Sequence, residues 1–296
     1  KDIELSSKWN NPTVSLGITD VQSDISNRSI EPMQAYVVGV TQVIPITDKL
    51  KFKKDVALKD KNLASLQLED AKIKYSSLIN QKAYTLLILK KKLKLLLHYK
   101  ENLIGLEELT KALYKASKAT QNDIINTQIL KDSISLKIEN IKDSINRLTY
   151  QLEQLSYTKV DSLTSSLLVK KSVLKTDVNR HPKIKMLNTN KNRLLDIAKL
   201  EDAKKNSDLK FNMSYFKRAD KFNDYMNFSI AIPLSLYGRE DIKIKKANLQ
   251  ADGLSNKTAE LVESFKAQIS ILQSNLNTSY NKIKILRESI IPKKKA

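Results

Sequence analysis

The chain has 296 residues, 41% of them apolar and 6% aromatic, with a formal charge of +20, five glycines, six prolines and no cysteine. So little Gly and Pro excludes a loop-rich all-β protein and makes helix dominant. The lack of cysteine excludes disulfides, thiolate metal sites and a thiol nucleophile. The lysine excess runs along the whole chain instead of gathering with aromatics on one face, so it reads as solvated surface and no nucleic-acid binding is expected. No apolar run reaches the ~18 residues of a membrane-spanning helix. Lys1–Glu4 has no signal-peptide character, so the chain looks trimmed at its front.

Residues 1–11 are polar and close on the turn signal Asn10-Asn11-Pro12. Val14, Leu16 and Ile18 then alternate with Thr13, Ser15, Gly17 and Thr19, which predicts a strand over about 13–21. A loop from Gln22 to about Gln34 leads to a second strand at about 35–45, rich in β-branched residues and stopped by Pro45. Thr47-Asp48 supplies a helix N-cap.

From Leu50 to Tyr157 apolar residues recur three or four apart, with no proline and one glycine, Gly105. Unbroken, this would be a rod of roughly 150 Å at ~1.5 Å per residue. Over 115–123, however, large apolar residues give way to Ala116, Ser117, Lys118, Ala119 and Thr120, and Thr120, Asn122 and Asp123 can each cap a new helix. The expectation is a coiled helical hairpin over about 49–157 with its tip near 115–123. Residues 161–180 read as an irregular connector.

His181-Pro182 opens another helix, with Ile184, Leu187, Leu194 and Ile197 on its apolar side, ending near Ser207. Strands follow at about 208–216, where Leu209, Phe211, Met213 and Tyr215 alternate with polar residues, and at about 225–236. A long helix then runs from about 240 to Ile291. Ile230-Ala231-Ile232-Pro233-Leu234 matches Gln42-Val43-Ile44-Pro45-Ile46, so Pro45 and Pro233 stand at equivalent strand ends. The chain reads as an internal duplication, with a first repeat at 1–160, the connector at 161–180 and a second repeat at 181–296. The second repeat stops before any turn equivalent to 117–123, and we expect the native protein to continue.

Four strands alone leave an open sheet with two edges. One apolar and one small or polar row fits a barrel wall better than a sandwich. Long amphipathic helices joined to such strands cannot hide their apolar faces within one chain. Both demands are met if several copies assemble around an axis, the strands closing a shared barrel and the helices a tube.

The order Asn11-Pro12, strand, loop, strand, Pro45, long helix, turn and helix, then His181-Pro182, helix, strand, turn, strand and Ile232-Pro233-Leu234, resembles the TolC-like family of outer-membrane efflux proteins. It is closest to the branch that exports metal cations and drugs. The resemblance covers essentially the whole chain but lacks the family's first and last helices. It implies a mainly α fold with a small β part, in which long antiparallel helical hairpins form a tunnel and four strands per chain join a shared trimeric, twelve-stranded barrel. It also implies an outer-membrane location in a Gram-negative bacterium with a long periplasmic part. The implied activity is passive conduction of drugs or metal cations. The implied partners are two further copies, outer-membrane lipid, a periplasmic adaptor (membrane fusion) protein and an inner-membrane pump.

At the hairpin tip the family commonly has Gly, then a short run and an acidic–aliphatic pair. Ser117 stands in the Gly position and Asp123-Ile124 in the acidic–aliphatic one, while Lys118 departs from the usual apolar residue. The resemblance thus makes Ser117, Lys118, Thr120, Asn122 and Asp123 candidate adaptor contacts; from the residues alone they are an ordinary solvated turn. Tyr36, Phe211, Tyr215, Tyr225 and Phe228 are candidates for the barrel's membrane face or aromatic girdles, against packing in a soluble sheet. Trp9 fits a membrane interface or a packing role equally.

His98 and His181 lie far apart with no further His or Cys, so no metal site is expected; Met213 and Met226, facing across the second hairpin, make a poor copper site. The Gly-rich phosphate loop, Gly-x-Ser-x-Gly and His-Glu-x-x-His are all missing, and neither catalysis nor a cofactor is expected. The rival reading is a periplasmic adaptor or coiled-coil scaffold without channel activity. An adaptor would carry one hairpin between halves of a Gly- and Val-rich lipoyl-like domain, whereas this chain repeats strands plus helix.

Overall fold

The computed structural model describes residues 1–21, 32–160, 163, 171–174 and 176–295. The elements are, in order, α1 (Asp2–Ser6), β1 (Thr13–Thr19), β2 (Ala35–Ile44), α2 (Lys49–Lys115), α3 (Gln121–Ser156), a 3-10 turn (Val178–Arg180), α4 (Pro182–Ala203), β3 (Leu209–Lys217), β4 (Tyr225–Ala231), α5 (Arg239–Ile285), a π turn (Leu286–Ile290) and α6 (Ile291–Lys295). Most of the loop expected at 22–34 and half of the connector at 161–180 lie outside the described residues.

Three differences from the sequence reading have local causes. The polar start carries a short helix, α1, with Asp2 and Glu4 in its first turn, where they oppose the positive helix end. The fourth strand ends at Ala231 rather than near 236, because Ala231 already faces Lys210 and β3 has only Leu209 left to pair. The last long helix passes through Pro292 instead of stopping before it. Proline offers no N–H and its ring crowds the carbonyl four residues back, and the turn ahead of it widens to π over Leu286–Ile290.

The chain forms two compact units. The first comprises Lys1–Leu68 and Leu174–Leu272. It holds one antiparallel sheet in the order β1-β2-β3-β4. The central ladder pairs β2 with β3 from Tyr36↔Lys217 to Ile44↔Leu209, so segments on either side of the helical hairpin in sequence become neighbours. Beyond the ladder, Lys49 is buried and its Nζ meets Asp208 Oδ1 at 2.7 Å, while Thr47 Oγ1 donates to the Ala203 carbonyl at 3.2 Å. Glu201, also buried, is bridged by Lys204 (2.5 Å) and Lys243 (3.0 Å). Burial pushes the Glu201 carboxyl up, but the two lysine hydrogen bonds outweigh it and hold the group below its usual range. These contacts fix the starts of α2 and α5 against α4; Ile184 and Ala198 of α4 are buried, as are Ala247 and Ala251 of α5. His181 caps α4, its Nδ1 accepting from the Lys183 N–H at 3.2 Å, and its ring lies 4.6 Å from that of Phe265. Its role is structural.

The second unit comprises Glu69–Val173 and Gln273–Ala296. Here α2 and α3 run antiparallel, with Leu103, Ile134 and Ile138 forming a buried cluster against Leu93 and Leu96. Lys82 Nζ donates to Gln151 Oε1 at 2.7 Å. Nearer the turn, the buried Glu107 carboxylate receives Lys111 (2.7 Å), Lys131 (2.5 Å) and Gln128 (3.2 Å), which ties the two helices together.

Hydrogen bonds from Lys111, then Lys131 and Gln128, hold the Glu107 pKa down at about 2. A folded pKa below the unfolded ~4.3 means that the stabilisation is complete above about pH 4.3 and is lost as pH falls through the folded value. The thermal midpoints of wild type and Glu107→Gln, followed by circular dichroism, are therefore expected to differ at neutral pH and to converge from about pH 5 towards pH 2. A gap that stays constant over that range would remove the ionised carboxylate as the cause.

Candidate functional site

Two regions carry the residues singled out from the sequence: the sheet and the hairpin tip. In the sheet, side chains alternate between faces and the register decides which share one. Leu16 faces Val38, which faces Tyr215, which faces Met226. One row up, Val14, Val40, Met213 and Phe228 stand in line, and Ile18 meets Tyr36. Phe211 and Ile230 extend the same face, their neighbourhood marked by a ring contact of 6.4 Å between Phe211 and Phe228. All of these side chains are exposed, Leu16 at 78%, Ile230 at 65% and Phe228 at 59%. The face is continuous, apolar and uncovered.

The opposite face is small and polar in its middle rows, with Val37, Phe216 and Tyr225 towards one end and Val43 towards the other. Asn212 Nδ2 donates to Thr41 Oγ1 at 2.8 Å and Ser214 Oγ donates to Asn212 Oδ1 at 2.9 Å. Gly39 sits between Ser15 and Ser214. A Cβ there would lie 2.7 Å from one hydroxyl and 3.0 Å from the other, so the bare backbone lets the two serines close in across the strand.

Four of the five aromatic candidates, Tyr36, Phe211, Tyr215 and Phe228, share the apolar face. Tyr225 does not. It pairs with Phe216 on the polar face, the rings stacked 4.5 Å apart and 6° from parallel. Arg218 lies over the Tyr225 ring at 5.1 Å and donates through Nε to the Asn223 carbonyl at 2.6 Å, closing the β3–β4 turn. Tyr215 and Lys217 both donate to Asp224 at the same turn. Met213 faces Phe228 and Met226 faces Tyr215, so the two thioethers are diagonal neighbours and do not face each other. Pro45 directly follows β2, and Pro233 stands two residues beyond the end of β4. Trp9 is exposed. Sequence reasoning missed the extent of the face, including Val38, Val40, Met226 and Ile230. Period-two alternation held that signal, but register was needed to align it across strands.

At the tip, Ser117, Lys118, Thr120, Asn122 and Asp123 are all exposed and adjacent. Helix α2 ends with the Ser117 N–H bonding the Tyr114 carbonyl (2.9 Å) and the Lys118 N–H bonding the Leu113 carbonyl (2.8 Å). That Schellman closure requires a left-handed residue, and Ser117 has φ 57°. This gives a physical reason for glycine at the position where Ser117 stands. Helix α3 then starts with a capping box: Thr120 Oγ1 accepts from the Asp123 N–H, and Asp123 Oδ2 accepts from the Thr120 N–H at 2.8 Å. The Thr120 N–H first, and then the Thr120 hydroxyl donating to the same Oδ2 at 2.7 Å, hold the Asp123 carboxyl below its usual range. Among the described residues no group of three or more His, Cys, Asp or Glu side chains is placed to hold a metal ion, and His98 sits exposed, 3.5 Å from Glu101 Oε2.

No protein family and no curated protein matches the sequence. Solved structures do match the fold. The outer membrane protein VceC of Vibrio cholerae superposes with a TM-score of 0.74 and 12% identity, covering 99% of this chain and 76% of that one. The open state of the MtrE outer membrane channel of Neisseria gonorrhoeae gives 0.71 and 12%, covering 99% and 70%. The CmeC outer membrane channel of Campylobacter jejuni gives 0.66 and 14%, covering 99% and 69%. The chain has the fold of these outer-membrane proteins. At such identity the likeness is one of architecture: four antiparallel strands per chain attached to long helices.

Ser117 in a left-handed conformation costs about 1 kcal/mol relative to glycine. Ser117→Gly is therefore expected to raise stability by about that amount, and Thr120→Ala to lower it by about 1 kcal/mol through loss of the cap, both read from chemical-denaturation midpoints. Equal midpoints for the two variants would show that the tip geometry is not formed in solution.

Proposed function

We propose that this chain is the exit duct of a tripartite efflux system, a passive conduit for drugs or metal cations across the periplasm and outer membrane. The observation that carries the reading is the sheet, with a continuous exposed apolar face on one side and hydroxyls, amides and glycine on the other. A water-soluble sheet covers its apolar side, whereas a membrane barrel turns that side to lipid and the polar side to a water-filled lumen. β1 and β4 are edges, and three copies of the sheet joined edge to edge give a twelve-stranded barrel with no free edge. Tyr36, Phe211, Tyr215 and Phe228 then face lipid, and Tyr225 with Phe216 lies on the lumen side of the wall.

The same closure accounts for the helices. Leu95, Leu109, Leu136 and Leu249 are exposed, and a tube formed by several copies buries such surfaces. The tip from Ser117 to Asp123 is the docking point for a periplasmic adaptor protein, and an inner-membrane pump supplies the energy. Conduction requires weak contact with cargo, and a lumen wall of Thr, Ser and Asn offers hydrogen bonds without a fixed site. The repeats at 1–160 and 181–296 are, in this reading, two copies of one ancestral unit. A soluble scaffold has no use for the uncovered sheet.

The experiment compares neighbours on β4. Phe228→Arg places a charge on the lipid face at about 2–4 kcal/mol if it lies near mid-membrane, whereas Asn227→Arg points into water. Phe228→Arg is expected to abolish recovery of a trimer from the outer-membrane fraction in mild detergent, and Asn227→Arg to preserve it. A wild-type chain that stays soluble and monomeric without detergent would overturn the duct.

A further inference from the structure

From Ala71 to Lys100, α2 carries eight lysines and no acidic residue. Elsewhere on these helices lysine and carboxylate alternate at helical spacing and pair, as in Lys111–Glu107, Lys142–Glu139 and Lys266–Glu263. In the acid-free stretch Lys82 donates to the Gln151 amide, and Lys90, Lys91, Lys92 and Lys94 are exposed and make no ion pair among the described residues. Lys90 and Lys94, and Lys91 and Lys94, stand four and three apart, a like-charge spacing that destabilises a helix. Such a spacing disfavours the helix, and an anion docked on the cluster would relieve the repulsion.

The hairpin itself does not provide that anion. Lys82 meeting Gln151, and Glu107 meeting Lys131, set α3 at the level of residues 90–94 to about the 140s. The acids there, Glu139 and Asp143, already pair with Lys142 and Arg147 on their own helix. A second copy of the hairpin at the same height brings the same satisfied acids.

We propose that the lysine belt at 90–94 docks the carboxylates of the cell-wall peptide chains. The inference rests on the periplasmic reading above. A duct that crosses the periplasm must thread this anionic sugar–peptide mesh, and mobile ammonium groups on four-carbon stems suit a partner of irregular geometry. The contact is electrostatic, so it weakens as salt screens it.

The test is co-sedimentation of the purified full chain, in mild detergent, with isolated cell-wall sacculi and with sacculi whose carboxylates have been amidated. Two variants of equal net charge are compared: Lys90, Lys91, Lys92 and Lys94 changed to Gln, and Lys53, Lys54, Lys245 and Lys246 changed to Gln. The first is expected to lose binding by about tenfold and the second to stay within about twofold of wild type, with wild-type binding lost on amidation and in about 1 M salt. Equal losses in the two variants would assign binding to bulk charge, and full binding to amidated sacculi would assign it to sugar; either overturns the proposal, as does absence of wild-type binding. The oligomeric mass of each sample is read in parallel. A trimer without sacculus binding removes the lysine belt and leaves the duct, whereas a soluble monomer removes the duct itself.

Discussion

The sheet depends on the β2–β3 ladder. It joins Ala35–Ile44 to Leu209–Lys217 across an intervening stretch that contains the whole helical hairpin. Closing a loop that long costs chain entropy, but the cost grows only logarithmically with length, and a nine-residue ladder with flanking contacts offsets it. Without it, two separate two-stranded hairpins remain, each marginal in water. With it, Lys49 reaches Asp208 and Thr47 reaches the end of α4, so the helices leave the sheet from defined points.

The ladder also converts four weak alternations into one two-faced surface. In β1 the apolar residues are Val14, Leu16 and Ile18; in β3 they are Phe211, Met213 and Tyr215. A shift of one residue in the β2–β3 register would turn half of this surface inward and half outward. Gly39 assists on the polar side, where Ser15 and Ser214 approach across it. The consequence is a sheet with one uncovered apolar face and two edge strands, the features on which the proposed barrel rests.

The hairpin tip illustrates a different economy. Ser117 takes a left-handed conformation without being glycine, and Thr120 with Asp123 closes a reciprocal cap three residues later. Two helix ends are satisfied within a few residues, with the side chains of Thr120 and Asp123 committed to the cap and those of Lys118 and Asn122 exposed beside it. Glu107, nearly three turns further in, ties both helices together.

Much of this was legible in the sequence because it is local. Period-two alternation marked four strands, period-3.6 spacing marked the long helices, and loss of large apolar residues marked the tip. Those signals arise from backbone geometry repeated over neighbouring residues. What only the tertiary structure decided is pairing between distant segments. It put Tyr225 on the polar face and its four aromatic companions on the apolar one, stopped β4 where its partner ran out, set the two methionines diagonally, and joined Glu107 to Lys131. Register is a relation between strands and not a property of either, so no reading of one segment at a time contains it.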